Sequence, residues 1–139
     1  MRQRLNLILL GVSDIAKSTA FYEALGWPKA ESSHAEFVKF DLGGIVMAIQ
    51  SREAFAIDAN FATAEGSGFS GMALAYIARS PEDVPRVLDK AASLGATIVK
   101  PATKNAWGIA GYFRDLDGHL FEVIYEDGWV FDGFDDLIV

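Results

Sequence analysis

Glu122 is the side chain of this sequence best placed to do chemistry. It stands inside an apolar stretch, Leu120 to Tyr125, just past the turn Asp115-Leu116-Asp117-Gly118. A carboxyl among apolar neighbours has its charged form disfavoured. That suits it to move a proton near neutral pH, or to bind a ligand's hydroxyl or amine. The other reading, a carboxyl merely satisfied by Tyr76, Gln50 or water, stays open. An earlier stretch has the same form: Asp41-Leu42-Gly43-Gly44 followed by Ile45 to Gln50. When the two are registered, Ala48 falls opposite Glu122. One copy carries a carboxylate where the other carries a methyl group.

Metal chemistry would need further ligands near Glu122. The chain has two histidines and no cysteine, so disulfides, thiolate metal sites and thiol catalysis are excluded. His34 follows Ser32 and Ser33 in a polar stretch and reads as a surface residue. His119 lies three positions before Glu122. Residues three apart in a strand point to opposite faces, so the two do not converge on one ion. His119 reads instead as a turn-supporting or rim residue.

The elements that must position these side chains follow from pattern. Leu5 to Val12 is an almost unbroken apolar run, as expected of a strand buried on both faces. Ser13 or Asp14 can cap the helix that follows. Ser18, Phe21, Tyr22 and Leu25 share one face of it, and Gly26 suits its end. Phe37 to Phe40 and Ile45 to Gln50 read as strands joined by a tight turn. The order then repeats. Met72 to Ile77 is an apolar strand, and Ser80, Pro81 and Asp83 open a helix. Val84, Val87, Leu88 and Ala91 form its apolar stripe, and Gly95 ends it. Pro85 must sit in the first turn, which moves the start toward Glu82. Thr97 to Lys100, Gly111 to Arg114 and Leu120 to Tyr125 read as strands. The stretch between the halves holds a short helix within Ser51 to Asn60 and a flexible Gly66-Ser67-Gly68 segment.

With 139 residues, 51% of them hydrophobic, the chain can bury a core as one domain built of two small halves. The net charge of −7 argues against nucleic acid and anionic membranes as partners. No apolar run is long enough to span a bilayer, and the first residues lack a signal-peptide pattern. A cytoplasmic protein is the expectation. Glu126, Asp127, Asp132, Asp135 and Asp136 read as a solvated acidic tail.

Two sets of residues carry a family resemblance. The first is Leu10, Val12, Asp14, Ser18, Phe21, Tyr22, Leu25 and Gly26. The second is Gly111-Tyr112-Phe113, then Asp115, Asp117, Gly118 and Glu122. From about residue 5 to 125 the chain resembles the vicinal oxygen chelate superfamily, the glyoxalase, bleomycin-resistance and extradiol dioxygenase group. The resemblance implies an α+β fold of two tandem βαβββ modules, which form a cupped mixed sheet around a cleft with the helices outside. Module one would span about 5–50, a linker about 51–70, module two about 71–126 and a tail 127–139.

Metal-dependent relatives draw ligands from the first and last strands of both modules, and the metal acts as a Lewis acid on two neighbouring oxygens. The corresponding positions here are Leu7, Ala48, Glu122 and, with Ile77 registered on Val12, Met72. Leucine and alanine are not ligands, and a thioether is too soft for the hard divalent ions. No metal and no other cofactor is therefore expected. The same parity sends Leu7, Leu9, Val46, Ala48, Gln50, Met72, Leu74, Tyr76, Leu120 and Ile124 to the cleft with Glu122. The resemblance adds Trp107 and Tyr112 at its rim. Expected ligand-binding residues are thus Gln50, Met72, Leu74, Tyr76, Trp107, Tyr112 and Glu122, with Glu122 the candidate acid or base.

Three functions compete. One is bleomycin-resistance-like sequestration of a small, partly apolar molecule, and another is metal-independent proton chemistry at Glu122. The third is a metal-dependent lyase, isomerase or dioxygenase of the glyoxalase type. The resemblance also implies a homodimer, and aromatics near the terminus make Trp129, Phe131 and Phe134, with the Ser51 to Gly71 stretch, the candidate contacts.

Overall fold

The computed structural model describes residues 5–66 and 68–138, so Ser67 of the expected flexible segment lies outside the described residues. The chain divides into two compact units, the first ending at Gly68 and the second beginning at Phe69.

In the first unit β1 (Leu7–Val12) leads into α1 (Ile15–Leu25), followed by β2 (Phe37–Asp41) and β3 (Val46–Ser51). The sheet order is β1-β3-β2, with β1 parallel and β2 antiparallel to β3. An isolated bridge from Lys29 to Phe40 adds a rudimentary outer strand beside β2, so the unit reads strand, helix and three strands. Asp14 caps α1 by accepting from the Lys17 amide at 3.0 Å. Gly26 ends the helix in the left-handed conformation, φ 116°. Tyr22 of α1 is fully buried against Phe40 and Trp27. It seals the sheet face that also carries Leu10, Val12, Met47 and Ile49, the centre of this unit's core. The other face of β1 is partly covered by α2 (Arg52–Asp58), the short helix expected after Ser51. A Cβ on Gly11 would stand 3.1 Å from the Arg52 backbone and 3.3 Å from the Phe55 ring. Burial of β1 on both faces therefore holds for Leu10 to Val12, whereas Leu7 is exposed.

The second unit runs β4 (Leu74–Ile77), α3 (Asp83–Ser93), β5 (Thr97–Lys104), β6 (Gly108–Arg114) and β7 (Leu120–Glu126). Its order, β4-β7-β6-β5, repeats that of the first unit, with β4 parallel to β7. Val84, Leu88 and Ala91 of α3 are buried, and Pro85 sits in the first turn, where its missing N–H costs no helix bond. β5 extends four residues past its expected end, through Pro101, with two register irregularities against β6. It is an edge strand and Pro101 lies in one of its register irregularities, both places where a strand tolerates proline. The tail also differs from a merely solvated run. It forms a small hairpin of β8 (Val130–Phe131) and β9 (Leu137–Ile138). The Arg79 guanidinium lies 3.6 Å over the Phe131 ring and pairs with Asp135, tying that hairpin to the end of β4.

Candidate functional site

The β6–β7 turn is built before the site it presents. The Asp115 carboxylate is buried, and its Oδ1 accepts from the amides of Asp117 at 3.0 Å and His119 at 2.8 Å. Its Oδ2 lies 2.8 Å from His119 Nδ1. Gly118, φ 88°, supplies the left-handed residue the turn needs. His119 thus supports the turn. Its ring is committed to Asp115 and not to Glu122.

That turn sets the register of β7, and the register decides which side chains meet. Ala75, Glu122 and Tyr112 are direct cross-strand neighbours, and Lys100 pairs with Tyr112 on the far side. Paired residues share a face, so one row crosses the whole sheet. Within it the Tyr112 hydroxyl donates to Glu122 Oε1. The Lys100 Nζ stands 5.9 Å from the centre of the Tyr112 ring. Leu120, Ile124 and Ala110 flank the row on the same face. α3 covers the opposite face, because a Cβ added to Gly111, one residue from Tyr112, would run into Leu88.

Glu122 is therefore not a lone carboxyl among apolar groups. Its partner is Tyr112, whose phenol is pushed above its ordinary 10.0, first by the hydrogen bond to Glu122, then by burial and the carboxylate's charge. At neutral pH Tyr112 keeps its proton and serves as donor. The second Glu122 oxygen remains able to accept from a ligand, and the half-exposed pair is accessible.

Two of the expected ligand-binding residues lie on the sheet face opposite Glu122. Leu74 pairs with Phe121 and Tyr76 with Val123, both on the α3 side of the sheet. Neither shares a face with Glu122, and Met72 lies before β4, exposed and outside its ladder. The error was a one-residue slip: the ladder that ends with Val12 opposite Ser51 in the first unit continues in the second to Ala78, whose amide donates to Ile124 O at 2.8 Å. Val12 therefore corresponds to Ala78 and not to Ile77, and a single slip inverts every side chain in a strand. Ala48 and Glu122 do correspond, pairing with Leu9 and Ala75 respectively. Trp107 lies at the exposed tip of the β5–β6 hairpin, where Asn105 Oδ1 accepts from its amide and that of Gly108, both at 2.9 Å. Gln50 belongs to the first unit, on the same sheet face as Leu7, Leu9 and Ala48. Lys100 is the residue that sequence reading missed. Its place in the row depends on the irregular β5 register, which no periodicity reveals.

The corrected register leaves the metal question where the donor chemistry puts it. Ala73 replaces Met72 as the counterpart of Leu7, so the four positions hold leucine, alanine, alanine and Glu122. Among the described residues no three histidine or carboxylate side chains come together as a cluster able to hold a metal. These residues do not fit the family's divalent ion. No helix among the described residues is long and apolar enough to cross a membrane.

Comparison with known proteins agrees with this architecture. A family model described as the Glyoxalase/Bleomycin resistance protein/Dioxygenase superfamily matches residues 4–123. A glyoxalase-related enzyme from Fulvimarina pelagi is similar in structure, with a TM-score of 0.87, 26% identity and coverage of 99% of this chain and 98% of its own. A hypothetical protein from S. aureus reaches a TM-score of 0.78 at 22% identity, covering 90% and 94% of the two chains. A glyoxalase/bleomycin resistance protein/dioxygenase family enzyme from Burkholderia phytofirmans PsJN reaches 0.78 at 23%, covering 88% and 98%. The last two show likeness of fold alone. No curated protein matches the chain.

Proposed function

The chain belongs to the glyoxalase/bleomycin resistance protein/dioxygenase superfamily, and from that premise we propose that it binds a small, partly apolar molecule, without a metal, on the sheet face that carries Glu122. The observation that carries the proposal is the Tyr112–Glu122 hydrogen bond in the row it shares with Lys100. Tyr112 fixes one carboxylate oxygen, so the other is oriented before a ligand arrives. Leu120, partly exposed on the same face, offers apolar contact beside it. Apolar walls with a few fixed polar groups are the usual make-up of a small-molecule site. The ligand feature such a row accepts is a hydroxyl or ammonium donor to Glu122, with an anionic or acceptor group toward Lys100.

Sequestration is favoured over proton chemistry by one observation. Tyr112 donates to Glu122 and holds its own proton more firmly for doing so, an arrangement that orients a carboxylate as an acceptor. The function includes self-association into a homodimer, which exposed apolar side chains such as Phe61, Phe69 and Met72 support.

A thermal-shift screen of small aromatic and cationic compounds tests the reading. Saturating hits stabilise the wild-type protein by an amount that grows with ligand concentration. The hits lose most of their effect in Glu122→Gln and Tyr112→Phe. Hits that persist unchanged in both variants would remove this face as the site. Turnover of a hit, abolished in Glu122→Gln while binding survives, would replace sequestration with catalysis. Tight stoichiometric uptake of Mn, Fe, Ni or Zn, lost in Glu122→Ala, would overturn the metal-free reading.

A further inference from the structure

The first unit holds a cavity of about 560 Å³ between α1 and the segment that leads into β2. That lies within the range of small-molecule sites, roughly 300–1,000 Å³. Its apolar lining comes from Ile15, Ala16 and Ala20 on one side of α1 and Val38 of β2. Its ionisable side chains are one carboxylate, Glu23, one ammonium, Lys29, and one imidazole, His34.

Each of these three is held by the backbone that bears it. Glu23 is in the last turn of α1. Lys29 is at the bridge to Phe40, and the next amide, Ala30, donates to Lys39 O at 2.8 Å. His34 exchanges two backbone hydrogen bonds with Phe37, both 3.1 Å, and its ring stacks on the Phe37 ring. The Ser33 hydroxyl accepts from the Lys39 amide at 2.9 Å, which fixes the loop carrying His34. The backbone that bears each group is thus fixed, while the Glu23 and Lys29 side chains reach solvent.

We propose that this cavity binds a small zwitterion with an apolar body, of the free amino acid or dipeptide class. A simple anion would meet Lys29 and His34 but also Glu23, on a chain of net charge −7. A simple cation would meet Glu23 but also Lys29. Only a molecule with both signs has a counterpart for each, and the alanine, isoleucine and valine lining requires an apolar remainder. The cavity shares no residue with the Glu122 face, so the two sites stand or fall separately.

Titration with L-leucine and L-phenylalanine, followed by NMR, tests the proposal, with isovalerate and isoamylamine as single-charge analogues. The chain's two histidines make the readout clean. Expected are saturable shifts of the His34 ring and of the Ala16 and Ala20 methyl signals below about 10 mM, with the His119 ring unmoved. Lys29→Ala and Glu23→Gln each weaken binding about tenfold, the loss of one charge-assisted hydrogen bond. Ala20→Phe, at an exposed helix position, blocks the cavity, and unchanged ring signals of the stacked Tyr22 and Trp27 in the same unit show that its fold survives. Shifts that fail to saturate, single-charge analogues that bind as well as the amino acids, or variants that bind like the wild type would each overturn it.

Discussion

The Tyr112 hydroxyl holds its proton more firmly than an ordinary phenol because ionising it would break its bond to Glu122 and set two negative charges side by side. The consequence for stability has a definite sign. With the folded value above the unfolded one, the contribution is complete below about pH 10 and is lost as the pH rises through the folded value. Tyr125, raised by its hydrogen bond to Asp127, acts in the same direction. Tyr112→Phe therefore flattens the loss of stability between about pH 9 and pH 11 without removing it, as denaturant midpoints at the two pH values will show. An undiminished loss in the variant would mean that the pair is broken in solution. The identity of Glu122 as the residue to watch is legible from sequence, since a carboxylate in an apolar strand is conspicuous. Its partner is not, because Tyr112 lies ten positions away and meets it only through the β6–β7 register.

At the scale of elements, the β6–β7 hairpin carries the site, and one buried carboxylate holds its turn. Asp115 accepts from two amides and contacts the His119 ring. Asp115→Ala strands those donors and lowers the unfolding free energy by about 2–3 kcal/mol in chemical denaturation. A loss below about 0.5 kcal/mol, the size of an ordinary surface substitution, would show that the turn forms without it. The same hairpin limits what can stand at Gly111, where a Cβ would meet Leu88 and come within 2.9 Å of Lys100 O. Gly111→Ala overpacks the α3–sheet contact and costs about 1–3 kcal/mol by the same measurement, whereas Gly133→Ala, with open space around it, leaves stability unchanged. Strand and helix existence followed from apolar periodicity, and the turn from its Asp and Gly residues. The length of β5 and the β8–β9 hairpin did not. One depends on an edge position that tolerates Pro101, and the other on Arg79, distant in sequence, meeting Phe131 and Asp135.

At the scale of the whole molecule, self-association is the open expectation with the most direct measurement. Light scattering at micromolar concentration should return about twice the 15.1 kDa chain mass, and a monomer mass would count against the homodimer. The sequence by itself determined the family, the doubled strand-helix-strand order and the poverty of metal ligands, because these rest on residue types and spacing. The poverty of ligands survived even a one-residue error in registering β4, since alanine is no better a ligand than methionine for a hard ion. Only the tertiary structure decided which side chains share a face with Glu122. Side chains alternate at every residue along a strand, so facing depends on a pairing register set by backbone hydrogen bonds to another strand. No local pattern in β4 records that register. It sent Leu74 and Tyr76 to the α3 side, brought Tyr112 to the carboxylate and set Lys100 over the Tyr112 ring.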